Sequence, residues 1–364
     1  MDFVFSEEQE MLRASARSFL RDRFPEDRVA ELAESDGGWD PSSWQQIAEL
    51  GWIGLSSPGA VGGAGMSLLE EAVLFEELGY ALYPGPYLAT VAASLPALEG
   101  SERLLARVMS GEVAATFAVH EEGRPLDLGL DEQLGTTALD DGGWKLSGDK
   151  INVRDLGAAE VLVVLASTDG GWGLWAVDSG AAEVEVLSTM DATRRLGRIH
   201  LAHTPAECLV LPGEAESVLM RTGGRVVSAL ALESVGIAQR ALDLALAHAG
   251  SRTQFGKPIG SYQAVSHQIS DTYMGVELAR SLAYWAAWCV SENDPQAGMA
   301  SAAAKAYASE VAVLACERSI QVHGGTGFTW EHILHRLYKR AQGNSSFSGD
   351  PTFHRRHIAN GLFA

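Results

Sequence analysis

Two stretches of this chain carry side chains suited to an anionic, nucleotide-like ligand. The first is Arg252-Thr253-Gln254-Phe255-Gly256-Lys257-Pro258-Ile259, followed by Ser261-Tyr262-Gln263-Ala264. Arg252 offers a permanently charged planar fork that matches a pyrophosphate, and Phe255 adds a flat apolar face beside it. The second is Gln321-Val322-His323-Gly324-Gly325-Thr326-Gly327-Phe328-Thr329. Gly324, Gly325 and Gly327 leave room for a backbone to approach a ligand with its N–H groups free for anionic oxygens. Gln263 and Gln321 can both donate and accept towards a ribose or a purine. The plainer alternative is that Arg252 makes a surface ion pair and the glycines simply end a helix.

Other chemistries are poorly served. His120, His323 and His354 have no second histidine or carboxylate at metal-ligand spacing, so no metal site is expected and these rings read as structural or solvent-facing. Cys208, Cys289 and Cys316 are widely spaced and form no CxxC pair, which argues against both zinc and a disulfide framework. A formal net charge of -20 repels nucleic acid and anionic membranes while leaving room for an anion in a local pocket. Charge interrupts every apolar run well before the roughly 18 residues a membrane span needs. The acidic start, Met1 to Gln9, lacks the basic and apolar regions of a secretory signal, so a cytoplasmic location is expected.

The 364 residues exceed an average single core, and three textures follow one another along the chain. Residues 1–112 read as helical. Ser6 and Gln9 fit a capping box, Leu12, Ala16, Phe19 and Leu20 share a helical face, and helix continues through Ser43–Leu50 and Leu68–Tyr80. The Gly-rich loop Pro58–Gly65 and then Pro84 and Pro86 interrupt it. Residues 113–212 read as a β-domain with strands near Ala115–Val119, Thr136–Leu139, Trp144–Leu146, Val161–Leu165 and Leu174–Val177, and with a hairpin loop at Asp140–Gly143. Residues 213–364 return to helical period. Long helices are expected over Val226–Ala249, from Pro258 to about Val290, and over Ala297–Val322, in an antiparallel bundle whose apolar surface suits burial against other subunits.

Taken with Gly236-Ile237-Ala238-Gln239-Arg240 on the preceding helix, the two ligand-suited stretches resemble the signatures of acyl-CoA dehydrogenases, and the resemblance covers nearly the whole chain. It implies an α+β fold with an N-terminal α-helical domain, a middle β-domain and a C-terminal helix bundle. It also implies FAD as cofactor. By that resemblance Arg252, Gln254, Phe255, Gln263, Gln321, Gly324 and Gly325 are cofactor-binding residues that reach across a dimer interface to an FAD whose flavin ring sits in the neighbouring subunit.

Set against the same family, other parts are missing. A Thr-Glu-Pro segment that binds the flavin corresponds here to Phe117-Ala118-Val119-His120-Glu121-Glu122-Gly123-Arg124-Pro125, without the Thr or the following Gly-Ser. The aromatic-Ile-Thr segment beside the flavin is replaced by Ile151-Asn152-Val153-Arg154. Dehydrogenation needs a carboxylate at the carbon alpha to the thioester while hydride leaves the beta carbon for the flavin. Of the family's two positions for that glutamate, one holds Ser348 and the other Val226. A serine hydroxyl is too weak a base for the task without its own activator. Glu233, two turns along the helix from Val226, and Asp350, two residues from Ser348, are the remaining candidates, and the plainer reading makes the first a helix carboxylate paired with a bundle arginine and the second a loop carboxylate in water.

The expectation is therefore a subunit of an FAD-dependent acyl-CoA dehydrogenase that carries no catalytic base. A companion acyl-CoA dehydrogenase subunit, in an α2β2 heterotetramer, would supply the flavin pocket and the glutamate. The substrate expected is a bulky acyl-CoA, such as a steroid side-chain thioester, with an electron-transfer acceptor downstream and no nucleic acid or membrane partner. The alternatives are a self-sufficient homotetrameric flavoenzyme with Glu233 or Asp350 as a relocated base, and a non-catalytic CoA-thioester-binding scaffold.

Overall fold

The computed structural model describes residues 5–123 and 134–363. Helices come first: α1 (Glu7–Arg23), α2 (Glu26–Glu34), α3 (Pro41–Glu49), α4 (Leu68–Tyr80), a π-helical stretch Leu88–Ser94 running into α5 (Leu95–Leu98), and α6 (Glu102–Met109). Strands follow: β1 (Ala115–Ala118), β2 (Thr137–Asp140), β3 (Trp144–Arg154), β4 (Val161–Thr168), β5 (Gly171–Asp178), β6 (Glu183–Leu187), β7 (Leu196–Pro205) and β8 (Glu207–Val210). Then come α7 (Ala215–Ser251), the short strands β9 (Thr253–Gln254) and β10 (Lys257–Pro258), α8 (Gln263–Ser291), α9 (Ala297–His323), α10 (Leu334–Ser346) and α11 (Pro351–Phe363). No helix among the described residues is long and apolar enough to cross a membrane.

Chain contacts divide these elements into two compact units. The helical unit gathers the residues up to Ala30, Leu68–Tyr83 and everything from Val227 onward. The capping box expected at Ser6 is present in both directions, Gln9 N–H to Ser6 Oγ and Ser6 N–H to Gln9 Oε1. α4 and α7 cross at two glycines. A Cβ on Gly79 would lie 2.2 Å from the Glu233 carbonyl oxygen, and one on Gly236 would lie 2.0 Å from that of Glu76. Gly236 is thus required by helix packing, with no need of a ligand to explain it. Around the crossing, Arg17 clasps the buried Glu77 through Nε at 2.9 Å and NH2 at 2.8 Å, and Arg280 and Tyr284 each reach Glu76 at 2.9 Å.

The sheet unit spans residues 31–67 and 84–226. Its strands run in the order β6-β7-β3-β2-β4-β5-β8, with β1 added parallel to β4. The expected hairpin joins β2 to β3, with Asp140 paired to Trp144 and the Asp140 carboxylate accepting the Gly143 N–H at 3.1 Å. Alternate residues of the central strands, among them Leu146, Leu162, Val164, Trp175 and Ile199, form one apolar core.

Several boundaries differ from the sequence reading. Pro258 does not open a helix: it pairs with Thr253 across a two-stranded hairpin, and α8 starts five residues later at Gln263. α7 begins at Ala215, eleven residues before Val226, and β3 continues far past Leu146 to Arg154. Strands β6 to β8 and helices α10 and α11 add to the elements expected.

Candidate functional site

The residues expected at a cofactor lie on two connections of the helical unit. α7 ends at Ser251, and the Arg252 N–H still donates to His248 O at 2.9 Å. The chain then folds into the β9–β10 hairpin, whose two-residue turn Phe255-Gly256 has positive φ at both positions, 51° and 82°. Positive φ at both central residues suits the twist of a tight hairpin but is uncommon for phenylalanine. Ile259 N–H donates to Arg252 O at 2.8 Å, Tyr262 Oη to Gln254 O at 3.1 Å, and Lys257 Nζ sits 4.3 Å over the Tyr262 ring, so the hairpin is braced from below. Arg252 and Gln254 are exposed, as is Gln263 at the first turn of α8, and the Phe255 side chain is 93% exposed.

The second connection leaves α9 at His323. Gly324 takes φ 60° and opens a 3-10 turn to Phe328. Space over Gly324 and Gly325 is open: a Cβ on either would meet nothing within 4 Å. Gly327 is different, because a Cβ there would lie 2.7 Å from Ile320 O, so packing dictates that glycine. Gln321, one turn before the end of α9, is exposed.

The positions expected to bear a base lie on the same unit or at its edge. Ser348 sits in the turn between α10 and α11 with φ 55°, followed by Gly349 at 94°. That turn is clamped. Lys305, fully buried on α9, donates to Gly349 O at 3.0 Å and Ser345 O at 3.3 Å, and His354 Nε2 donates to Ser348 O at 2.9 Å. Burial, with the Lys305 charge beside it, pushes His354 down to about 4, so this ring is a neutral strut at physiological pH. Asp350 is exposed and its carboxylate accepts the Phe353 N–H at 2.7 Å, which caps α11. Val226 is buried on α7.

Glu233 is 3% exposed and both its oxygens are engaged. Arg340 NH1 donates to Oε1 at 2.7 Å, and Asn344 Nδ2 donates to Oε2 at 3.1 Å. Arg340 is itself 1% exposed and also reaches Tyr83 O at 3.4 Å. Both oxygens of this carboxylate are thus taken up by donors of its own unit.

In the sheet unit, the stretch corresponding to the Thr-Glu-Pro segment keeps one feature, while Arg124 and Pro125 lie outside the described residues. Glu121 accepts from Lys150 Nζ at 2.6 Å and from the backbone N–H of Gly135 and Thr136 at 2.6 Å and 3.0 Å. Burial alone would raise the Glu121 carboxyl, but the Lys150 ammonium and the N–H donors outweigh it and hold it at about 2. Next along β3, Asn152 has φ 53°, and Arg154 is buried. Sequence reasoning overlooked Lys150 and Lys305, and the bundle arginine it expected beside Glu233 is Arg340, which it did not single out, since a buried cation leaves no periodic trace.

Comparison with known proteins places these features. Residues 6–112 match the model of the acyl-CoA dehydrogenase N-terminal domain, and residues 223–363 that of the acyl-CoA dehydrogenase C-terminal domain. Acyl-CoA dehydrogenase IpdE2 of Mycobacterium tuberculosis (strain ATCC 25618 / H37Rv) is 33% identical over 352 residues, covering 95% of this chain and 94% of that protein. The chain belongs to the acyl-CoA dehydrogenase family. Among solved structures, a Tcur3481-Tcur3483 steroid ACAD variant is 30% identical with a TM-score of 0.86, over 98% of each chain. The ChsE4-ChsE5 complex from Mycobacterium tuberculosis is 26% identical with a TM-score of 0.89, over 100% of this chain and 99% of that one. The acyl-CoA dehydrogenase family and its structural neighbours are FAD-dependent flavoproteins. The α+β order expected from sequence, helical then sheet then helical, is that of the family.

Proposed function

We propose that this chain is the subunit of a heteromeric acyl-CoA dehydrogenase that grips the cofactor of a companion subunit without supplying the base. The observation that carries this reading is the state of the carboxylates. Ser348 stands where the family places its glutamate, Glu233 is locked between Arg340 and Asn344, and Asp350 is used as a helix cap. None is poised to take a proton from a substrate.

The open hairpin and the open glycine turn support the other half of the reading. The braced hairpin holds Phe255 at positive φ at its tip and leaves the ring 93% exposed. Contact with a flat ring system from another subunit would bury that face. Arg252 would hold the cofactor's phosphates by charge-assisted hydrogen bonds, Gln263 and Gln321 would meet its ribose or purine edge, and the backbone at Gly324 and Gly325 would approach it closely. When bound, the flavin accepts the hydride from the substrate's beta carbon. The chain's own share is to bind and orient that cofactor, while the companion removes the alpha proton.

Names of relatives bear on partner and substrate. The ChsE4-ChsE5 and Tcur3481-Tcur3483 pairings are two-component, and the latter is named a steroid ACAD. These names support, for this chain, the reading of a companion acyl-CoA dehydrogenase subunit in an α2β2 assembly and of a bulky acyl-CoA such as a steroid side-chain thioester, with an electron-transfer acceptor taking the electrons onward.

The test is steady-state oxidation of an acyl-CoA by the assembled complex with an artificial electron acceptor. Ser348→Ala, Glu233→Gln and Asp350→Asn should each leave turnover per folded, flavin-loaded complex within a few-fold of wild type, because losing a true general base costs about 100- to 10,000-fold. A drop of that size in any one of them, with flavin still bound, would assign the base to this chain.

A further inference from the structure

Three imidazoles stack beneath the two cofactor-contact segments. His248, on the last turns of α7, lies 4.3 Å from His323, at the end of α9, with the rings 32° apart. His323 lies 4.7 Å from His332, in the loop that leads into α10, at 64°. Arg252 hangs from His248 O through its backbone N–H, and Gly324 follows His323 directly. The stack therefore joins the arginine segment to the glycine segment by side-chain contact. No group of three such side chains among the described residues could hold a metal ion, so the rings serve one another.

We infer that His248, His323 and His332 are positioning residues that align Arg252 with Gly324 and Gly325, and that proton uptake by the stack undoes this alignment. The inference rests on the reading of these segments as cofactor contacts. Its basis is the hydrogen-bond roles of the rings. His323 Nδ1 donates to Ser319 O at 2.8 Å, which fixes that ring against α9. His332 Nδ1 accepts the Leu334 N–H at 3.3 Å at the start of α10, a role that only an unprotonated nitrogen can fill. A proton on His332 Nδ1 would turn this acceptor into a donor facing a donor.

The surroundings favour the neutral state. Burial lowers the proton affinity of His332, and His323 and Arg240 act in the same direction, while Glu26 opposes them. Burial likewise lowers that of His248, reinforced by His323, Arg252 and His332. Both rings thus bind protons more weakly in the folded chain than in the unfolded one. The alignment is complete above the ordinary histidine value of 6.5 and weakens as pH falls below it.

Hydrogen exchange of the purified full chain at about pH 7.5 and about pH 5.5, corrected for the intrinsic rate, reads this directly. Peptides covering 252–259 and 324–334 should open up to about tenfold more per pH unit below the histidine range. His332→Asn should reduce the step to the share that His248 carries, since its amide oxygen can accept the Leu334 N–H and does not titrate. Absence of the step in the wild type would overturn the inference, and so would an equal step in His332→Asn. Flavin retention of the Arg252→Ala complex at neutral pH separates the two ideas. Retention equal to wild type would overturn the cofactor-contact reading, whatever the exchange data say of the stack.

Discussion

The carboxylate of Glu233 lies 2.7 Å from the guanidinium of Arg340 on a different helix, with both side chains almost fully buried. Two helical turns from Val226, Glu233 looks in the sequence like a candidate for a displaced base. In the structure it is half of a buried ion pair completed by Asn344. Removing one partner of such a pair leaves an uncompensated charge and costs about 3–5 kcal/mol, whereas replacing both by apolar groups is often neutral. Glu233→Gln should therefore lower unfolding stability by about that amount, and a Glu233→Leu, Arg340→Met double variant should recover most of it. Urea titration of the three proteins checks this. A Glu233→Gln variant as stable as wild type would show that the pair does not hold the bundle together.

Glu121 and Lys150 make the corresponding buried pair of the sheet unit. Its carboxyl is held at about 2 in the folded chain against 4.5 ordinarily. A depressed carboxylate contributes stability that is fully present above its unfolded value and is lost as pH falls from about 4.5 towards 2. The wild type should lose about 3 kcal/mol across that window through this group. Glu121→Gln should start less stable and show a shallower acid limb, measured by thermal melts at stepped pH. An acid limb unchanged by the substitution would place the sensitivity elsewhere.

At the α4–α7 crossing, a methyl on Gly236 has no room, with the Glu76 carbonyl oxygen 2.0 Å from its ideal Cβ. The obstacle is backbone, so the two helices must part. Gly236→Ala should cost about 1–3 kcal/mol, despite the gain in helix propensity, and lower the melting temperature. A melting temperature equal to or above wild type would mean that the helices separate freely.

Arg252→Ala tests the cofactor grip. Loss of a charge-assisted contact to a phosphate costs about 1.5–3 kcal/mol, or about 10- to 150-fold in FAD affinity of the assembled complex. Equilibrium dialysis of flavin from variant and wild-type complexes measures it. Unchanged affinity would remove Arg252 from the site.

How far the sequence exposed these features follows from local chemistry. α4 was legible to the residue, Leu68–Tyr80, because its apolar run stands between a Gly-rich loop and Pro84. The β2–β3 hairpin was legible from Asp and Gly at its tip. The second half of β3 was not, since Gly148, Asp149, Lys150 and Asn152 are poor strand formers, and Lys150 is buried only because Glu121 meets it from the end of β1. Pro258 misled in the other direction. Proline suits a helix's first turn, but here its fixed φ closes a hairpin that Arg252 and Ile259 tie together. The two exposed segments proposed to contact the cofactor stand out in the sequence through their motifs. Lys305, which clamps the Ser348 turn from α9, and Arg340, which clamps Glu233 from α10, lie far away in sequence, and no spacing rule joins them to their partners.

On the reading proposed above, this chain has kept the contacts that serve a neighbour's cofactor and lost those that serve its own. Flavin absorbance per chain tests that most directly, measured on the protein purified alone and again after co-expression with a companion acyl-CoA dehydrogenase subunit that carries an intact Thr-Glu segment and a glutamate at the base position. The prediction is little or no flavin on the isolated chain and a yellow, stoichiometric flavoprotein from the pair. Stoichiometric FAD on the isolated chain would contradict it.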